Sequence, residues 1–216
     1  MLIPYDKLIK KYNIQPTGII HVGANNGAEC KTYYDNGVTK TIWFEPIPKV
    51  FEQLIKNTSI YPNVLCFNEL INEKEIEFTL NISDNNGESS SIFDFGEHKE
   101  MHSNVHFNGI IRLKAKRLDN ILNDITGYDF INLDIQGAEL SALKSLGTLI
   151  NQINFVYCEV NRTEVYKKIP LFDEVNEWLE GNGFEFKEAV WVKNNKGQDA
   201  WGDGFWIRKN IYIICH

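Results

Sequence analysis

Polar side chains follow two neighbouring apolar runs in the second half of the chain. Asp134 ends the run "DFINLD" at 129–134, Glu159 lies near the end of "INFVYCEV" at 153–160, and Asn161 follows directly. Such runs predict buried parallel strands, whose carboxyl ends meet at one edge of a sheet. There the three side chains would offer only oxygen ligands, a set that suits Mg²⁺. The alternative is that Glu159 and Asn161 make only local hydrogen bonds.

A glycine-containing turn follows the first apolar run of the chain. The segment "IIHVGANNGAE" at 19–29 passes through Gly23 and Gly27 into residues that favour a helix. Because these two glycines have no Cβ, they allow the backbone to approach a ligand closely. Asn26 and Glu29 have the spacing of a capping box at the start of that helix. The turn therefore predicts a ligand-binding loop beyond the carboxyl end of the first strand.

An acidic residue, Glu45, ends the second apolar run in "WFEP". A carboxylate at this position can accept hydrogen bonds from both hydroxyls of a ribose, which indicates a nucleoside cofactor. The GxGxxG spacing of dinucleotide-binding proteins is absent, because the loop reads Gly-Ala-Asn-Asn-Gly. This combination favours S-adenosylmethionine over a nicotinamide cofactor. An ordinary strand-to-helix turn with a charged strand end is the alternative.

Three histidines, His98, His102 and His106, are spaced four residues apart in "EHKEMHSNVH". On a helix they would share one face and could hold zinc. No carboxylate or thiol pattern completes such a site, so we expect them to line a cleft or to face solvent. Trp201, in the polar segment "GQDAWGDG" that we predict to be a turn, could stack on a sugar or cap the sheet edge.

Alternating strands and helices must position these residues. Apolar runs predict five core strands, at 18–22, 40–45, 63–68, 129–134 and 153–160. Helical patterns lie at 27–36, 48–57, 137–146 and 170–180. Two further strands, at 184–192 and 204–209, predict an antiparallel C-terminal hairpin. The alternation predicts an α/β fold with a doubly wound, mostly parallel sheet.

The stretch at 75–118 breaks this alternation. Strand-like segments at 75–82 and 110–118 flank a polar stretch with scattered aromatic residues. A long irregular insertion in a compact domain is usually functional. We expect an excursion over the sheet edge that covers a ligand, within a single domain of residues 1–216.

The composition excludes several classes of protein. The 216 residues carry a formal net charge of −7 without a basic stripe, which argues against a nucleic-acid-binding protein. No apolar run approaches the length of a membrane span. The four cysteines are scattered and form no CxxC pair. We therefore expect a soluble protein of a reducing compartment, the cytoplasm.

Five segments, in this order, resemble the FkbM family of S-adenosylmethionine-dependent methyltransferases: "HVGANNG", "FEPIPKVFEQLIKN", "INLDIQGAELSALKSL", "CEVN" and "VNEWLEGNGFEF". The similarity extends from Gly18 to Arg208, and "LDIQGAELSALKSL" looks like the family's Asp-x-Glu-Gly-Ala-Glu block. The chain departs from the family at His21, where an acid is usual, and at Gln136, where Glu is usual. The resemblance implies a seven-stranded, Rossmann-like methyltransferase fold and O-methylation of a hydroxyl, often on a sugar or polyketide.

By position, the resemblance implies cofactor contacts at the ends of four strands, by His21, Gly23, Ala24, Asn25, Gly27, Glu45, Pro46, Asn68 and Asp134. Methyl transfer depends on alignment of the reacting atoms, and a hydroxyl acceptor must also lose its proton. Asp134, Glu159 and His21 are the candidates for the base. Mg²⁺ held by Asp134, Glu159 and Asn161 would instead lower the pKa of the acceptor hydroxyl. Glu139 is expected to be structural or to face the cofactor's ammonium group.

We therefore expect an O-methyltransferase that acts on a sugar hydroxyl of a glycan or glycosylated metabolite, alone or as part of a larger glycan-assembly protein. A polyketide or peptide acceptor is one alternative. A non-catalytic cofactor-binding module is another, since His21 and Gln136 depart from the family pattern.

Overall fold

The structure is a computed structural model that describes residues 1–209. Its strands are β1 (Gly18–Val22), β2 (Lys40–Phe44), β3 (Val64–Phe67), β4 (Glu77–Ser83), β5 (Phe107–Lys114), β6 (Phe130–Leu133), β7 (Phe155–Asn161), β8 (Phe184–Lys193) and β9 (Asp199–Arg208). Seven of them form one sheet in the order β3-β2-β1-β6-β7-β9-β8. The first five of that order pair in parallel, whereas β9 is antiparallel to both β7 and β8. This confirms the predicted mostly parallel sheet with an antiparallel C-terminal hairpin.

Helices cover both faces of the sheet. They are α1 (Tyr5–Tyr12), α2 (Cys30–Asp35), α3 (Pro48–Thr58), α4 (His98–Met101), α5 (Leu118–Ile121), α6 (Glu139–Lys144) and α7 (Phe172–Gly181), with a 3-10 helix at Gly147–Gln152. Helices α1, α2 and α3 share one apolar core with Ile19 and Phe130. Helices α5, α6 and α7 share another with Ile20 and Ile131. Neighbouring strand residues point to opposite faces, so a strand covered on both sides is apolar along its whole length.

Several elements differ from the sequence-based expectation. Helix α6 begins at Glu139 rather than 137, because the preceding loop is held open by hydrogen bonds to the Glu139 carboxylate. Strand β9 begins at Asp199, so Trp201 lies in a strand opposite Asn161 and not in a turn. The helices α1, α4 and α5 were not predicted. Helices α4 and α5 have only four residues each, whereas α1 carries Tyr5, Leu8, Ile9 and Tyr12 at helical spacing, a signal that the sequence does contain.

The insertion between the third and sixth strands crosses the carboxyl edge of the sheet. Strands β4 and β5 form a separate antiparallel pair. Between them, Ser91 donates to the backbone oxygen of Gln136 (2.7 Å), and the Asn25 amide donates to that of Asn86 (3.2 Å). Tyr166 also donates to the backbone oxygen of Ser89. The insertion is therefore tied to the loops that follow β1 and β6.

The order of the strands reverses between β1 and β6. The chain places β2 and β3 on one side of β1, and β6 and β7 on the other. In open α/β sheets, ligands bind in the crevice beyond the carboxyl ends of the strands at such a point. This crevice is where Gly23 follows β1 and Asp134 follows β6.

No helix in residues 1–209 is both long and apolar enough to cross a membrane. Cys30, Cys66 and Cys158 carry free thiols. Cys215 lies outside the described residues.

Candidate active site

A cavity of about 570 Å³ opens at the switch point of the sheet. Its size is that of a small-molecule site. The predicted site residues that line it are His21, Gly23, Ala24, Asn25, Glu45, Pro46, Asp134 and Glu159. Gly27, Asn68 and Asn161 were predicted to contact ligands and do not line it. The insertion supplies the opposite wall, with Ser89, Ser90, His98, His102 and Val105.

The two glycines of the first loop are required mainly by the packing of the protein itself. Gly23 has φ +84°, and a Cβ there would lie 1.8 Å from the backbone oxygen of Asp134. Gly27 has φ +76°, and a Cβ there would lie 2.7 Å from the Leu54 side chain of α3. The expectation of room for a ligand is therefore corrected for Gly27. Gly23 still exposes backbone to the cavity, but Gly27 packs against α3.

The predicted capping box at Asn26 and Glu29 does not form. Helix α2 begins at Cys30, and its cap residue Glu29 makes no side-chain cap hydrogen bond. The backbone NH of Asn26 is instead bound by the Asn25 side chain, at 2.7 Å. Asn25 adopts φ +43°, a conformation that Asn tolerates better than most residues. This local turn takes the place of the longer helix.

Glu45 lies buried at the end of β2, with only 4% of its surface exposed. Its two carboxylate oxygens accept hydrogen bonds from the backbone NH groups of Asn25 (2.9 Å) and Ile47 (2.8 Å). Burial raises the pKa of Glu45 to about 7, and the two amides oppose that rise. A carboxylate offers about four lone-pair sites, so each oxygen can still accept a hydroxyl donor. Asn68 donates to the backbone oxygen of Glu45 (2.8 Å) and so stabilises the end of β2.

His21 belongs to a buried polar cluster. Its ring nitrogens contact the Tyr33 hydroxyl and the Asn132 amide, each at 3.3 Å, and its ring stacks on Trp43. Burial lowers the pKa of His21 to about 4. Because both nitrogens are engaged and protonation is disfavoured, the arrangement does not suit the predicted role of base. His21 reaches the cavity wall as part of this cluster.

Gln136 joins the two acidic strand ends. Its amide nitrogen donates to Asp134 at 2.6 Å and to Glu159 at 2.9 Å. Its amide oxygen accepts from the Tyr166 hydroxyl at 2.6 Å, which fixes the direction of the amide. Gln136 has φ +55°, an uncommon conformation that turns its side chain back toward both strands. The sequence marks Gln136 only as a departure from the family pattern, and no motif marks Tyr166.

The structure brings Asp134 and Glu159 to the same amide nitrogen but leaves Asn161, the third predicted Mg²⁺ ligand, outside the cavity. The amide of Gln136 donates hydrogen bonds between Asp134 and Glu159, where a shared cation would have to lie. Asn161 is buried away from the cavity, and its side-chain oxygen has no hydrogen-bond partner. Across residues 1–209, no three His, Cys, Asp or Glu side chains are grouped to hold a metal. We therefore correct the metal expectation.

The three histidines of the insertion do not share a helical face. Helix α4 ends at Met101, one residue before His102. The ring of His98 stacks on Phe95 with centroids 4.2 Å apart, whereas His106 faces Asp84 at 3.4 Å. The alternative of a zinc site is thus not supported. His98 and His102 line the cavity, which fits the expectation of a cleft.

The acidic groups near the cavity perturb one another. Asp134 is exposed to the cavity. Desolvation by the surrounding protein and the negative charge of Asp203 raise the pKa of Asp134 to about 6. Burial and the charge of Asp134 raise the pKa of Glu159. Burial also raises the pKa of Glu139 to about 7, although its carboxylate accepts from the backbone NH groups of Ile135 and Gly137. Glu139 is therefore structural, one of its two predicted roles.

A doubly wound sheet with a buried carboxylate after its second strand and a cavity at its switch point is typical of the Rossmann-like folds that bind nucleosides. Within that class, the family model of the methyltransferase FkbM domain matches residues 21–186. The chain therefore belongs to the FkbM methyltransferase family and is an S-adenosylmethionine-dependent methyltransferase, as the resemblance of its motifs predicted.

Similar proteins agree with this assignment. The 2-O-methyltransferase NoeI of Sinorhizobium fredii is 23% identical over 163 residues, which are 71% of this chain and 67% of NoeI. Magnesium protoporphyrin IX methyltransferase of Synechocystis, solved with bound S-adenosylmethionine, has a TM-score of 0.52 at 10% identity and covers 94% of this chain and 74% of its own. The N-methyltransferase NodS of Bradyrhizobium japonicum, solved with S-adenosylhomocysteine, has a TM-score of 0.50 at 6% identity, covering 90% and 79%. These two structures share the fold, which by itself does not select the acceptor.

The residues of the cavity fit S-adenosylmethionine. Glu45 keeps free lone pairs beside the first loop, where ribose hydroxyls would bind. Asp134 supplies negative charge that suits a cationic sulfonium. Gly23, Ala24, Asn25 and Pro46 form the wall between these two regions.

Proposed function

We propose that the protein transfers a methyl group to a hydroxyl oxygen and that a sugar carries this hydroxyl. The observation that carries the proposal is the position of Asp134, whose carboxylate faces the cavity opposite the hydroxyl- and imidazole-bearing wall of the insertion. The name of NoeI, a 2-O-methyltransferase, supports oxygen as the acceptor atom.

In the proposed reaction, the cofactor supplies an electrophilic methyl group on a positively charged sulfur. Glu45 holds the ribose hydroxyls, and the backbone of Gly23, Ala24 and Asn25 orients the remainder of the nucleoside. The acceptor oxygen forms a bond to the methyl carbon while the carbon–sulfur bond breaks, and the sulfur takes that electron pair. Asp134 accepts the proton that the hydroxyl loses.

Gln136 keeps Asp134 ready for this step. It donates to one oxygen of the Asp134 carboxylate and leaves the other free to face the acceptor. The same amide also binds Glu159, so both carboxylates are held apart in fixed positions. The proposal needs no metal ion, because a carboxylate with a raised pKa can take the proton itself.

The wall of the insertion suits a sugar. Sugars present hydroxyl groups around a ring whose faces are partly apolar. Ser90 and His102 offer hydrogen-bonding groups, while Val105 and Trp201 offer apolar surface. Trp201 lies in β9 and reaches the cavity from there, where its ring can stack on a sugar face.

Two measurements test this function. Calorimetric titration with S-adenosylhomocysteine should show binding that Glu45→Ala abolishes and Glu52→Ala on the exposed side of α3 leaves intact. Methyl transfer from labelled cofactor to a panel of sugars, hydroxylated polyketides and peptides should then give ether products with sugars. Asp134→Asn should lower kcat by roughly 100-fold or more, since general-base catalysis typically contributes that much. Transfer to peptides or polyketides alone would contradict the sugar proposal.

A further inference from the structure

Acidic side chains predominate in the lining of the cavity, which also includes Met1, whose N-terminal ammonium group acts on Asp134. Its acidic lining residues are Glu29, Glu45, Glu69, Glu88, Asp134, Glu159 and Asp203. No Lys or Arg is present among the described residues that line it. Phosphate sites in proteins usually contain Arg or Lys, because burying a phosphate without a counter-charge costs much free energy.

Backbone NH groups are the other common means of holding phosphate, and here several are already occupied. The NH groups of Asn25 and Ile47 both donate to the carboxylate of Glu45. In the loop between β6 and α6, the NH group of Ile135 donates to Glu139. The protein's own carboxylates thus hold positions in which helix starts and tight loops elsewhere bind anions.

The wall built by the insertion has the same character. Glu88 is an exposed acid at this wall, and Ser89, Ser90 and His102 are the other polar residues there. The backbone NH of Ser89 is bound by the side chains of Ser83 and Asn85. An acceptor between this wall and Asp134 therefore meets hydrogen-bonding groups and carboxylates, with no Lys or Arg side chain to neutralise a phosphate.

We propose that the acceptor is an uncharged or cationic sugar, and that phosphorylated and nucleotide-linked sugars are rejected. This inference rests on the proposed sugar O-methylation and adds the charge of its substrate. For a glycoside it also orders the reactions, because the glycosyl transfer that forms the glycoside is the step that releases the nucleotide. Methylation would follow that glycosyl transfer, on an assembled glycoside.

The experiment compares one sugar in three forms: a neutral glycoside, its 1-phosphate and its nucleoside diphosphate conjugate. A methylated sugar is first identified by screening neutral glycosides, sugar phosphates and nucleotide conjugates together. The three forms of that sugar are then each incubated with the enzyme and S-adenosylmethionine. The phosphate and the conjugate should show kcat/KM values at least about 100-fold lower than the glycoside, since a like-charge contact costs several kcal/mol. Equal or faster transfer to either anionic form would overturn the inference.

Two charge variants test whether the charge of the cavity wall or the net charge of the protein sets the preference for neutral acceptors. Glu88→Lys places a cation at the wall of the insertion. This variant should reduce the ratio of kcat/KM between the neutral glycoside and the anionic forms. Glu177→Lys makes the same change of net charge on the exposed side of α7 and should leave the difference as in the wild type. An equal effect of both variants would show that net charge, and not the cavity, sets the preference.

A titration keeps the inference separate from the proposed function. The protein saturated with S-adenosylhomocysteine is titrated with uridine diphosphate. Saturable binding in the acceptor region, lost when a neutral acceptor is added or weakened by Ser90→Trp, would overturn the inference whatever the turnover. Absence of such binding supports it. If no sugar in any form is methylated while the cofactor product binds, the sugar function fails and this titration still decides the charge preference.

Discussion

Gln136 lies between the two carboxylates at the centre of the candidate site, and its orientation is fixed by Tyr166. With Glu at this position, a third carboxylate would face Asp134 and Glu159 and would favour their protonation. With Gln, two NH donors stabilise the charged forms, and the amide oxygen satisfies the Tyr166 hydroxyl. The departure from the family's usual residue thus has a local physical consequence.

We predict that Gln136→Leu lowers kcat by roughly 10-fold to 100-fold and raises the midpoint of the pH–rate profile, because Asp134 loses a donor to its charged form. Gln136→Glu should raise that midpoint further. Tyr166→Phe serves as the matched control, since it removes only the group that orients the amide and should have a smaller effect. Binding of S-adenosylhomocysteine should be retained throughout. A Gln136→Leu profile identical to that of the wild type would contradict the assignment.

The pH dependence follows from the raised pKa of Asp134. A general base must be deprotonated, so the rate should fall as the pH drops through about 6, where the free enzyme's Asp134 takes up a proton. A bound sulfonium shifts this midpoint downward, because positive charge favours the carboxylate. The quantity to measure is kcat/KM for the acceptor at saturating cofactor. Under that condition the protonation of Glu45, which would weaken cofactor binding, does not contribute to the pH profile. The same inflection in the residual activity of Asp134→Asn would show that another group is the base.

Removal of metal ions distinguishes the two roles considered for Asp134 and Glu159, general base and Mg²⁺ ligand. Because Gln136 already bridges Asp134 and Glu159 through its NH groups, we predict that EDTA leaves methyl transfer unchanged and that added Mg²⁺ does not restore Asp134→Asn. The comparison requires the same acceptor and cofactor concentrations with and without chelator. Loss of activity in EDTA, reversed by Mg²⁺, would return these carboxylates to the role of metal ligands.

At the scale of elements, the loop between β6 and α6 depends on one side chain. Glu139 is buried and accepts from the NH groups of Ile135 and Gly137, which would otherwise lack partners. We predict that Glu139→Leu lowers the free energy of unfolding by about 3 kcal/mol, the cost of leaving such groups unsatisfied. Glu139→Gln keeps an acceptor oxygen, so its free energy of unfolding should fall by less. Urea unfolding monitored by circular dichroism measures both, and equal losses would exclude the hydrogen bonds as the cause.

The insertion is the element that places the second wall of the cavity. It contacts the first loop through Asn25 and Asn86 and the second through Ser91 and Gln136. Both loops also carry cofactor or acceptor contacts in the proposed function. The insertion therefore links the two halves of the site through polar contacts at its base, while its strands β4 and β5 stay outside the main sheet.

At the scale of the whole molecule, the site joins loops from both halves of the sheet, so cofactor binding should stabilise the entire domain. We predict that S-adenosylhomocysteine at 100 times its dissociation constant raises the free energy of unfolding by about 2.7 kcal/mol. Thermal denaturation with and without the ligand measures the shift. Glu45→Ala should show none at the same concentration, and a full shift in that variant would place the ligand elsewhere.

Much of the architecture was predictable because its signals are local. The bounds of β1 agree with the prediction at both ends, since a buried strand is apolar throughout and Gly23 interrupts it. The length of α2 was not predictable, because the Asn25 side chain takes over the turn where the helix would have begun. Trp201 was assigned to a turn from its polar neighbours, although pairing with Asn161 makes it part of a strand.

The sequence by itself determined the class of fold, the family, and the strand ends at which Glu45, Asp134 and Glu159 lie, because strand periodicity and short motifs are written in adjacent residues. Only the tertiary structure decided what these side chains face. His21 is closed into a cluster with Tyr33 and Asn132, and Gln136 meets a tyrosine 30 residues away. Such contacts join residues distant in sequence, so they depend on the path of the chain and on which groups burial forces into pairs.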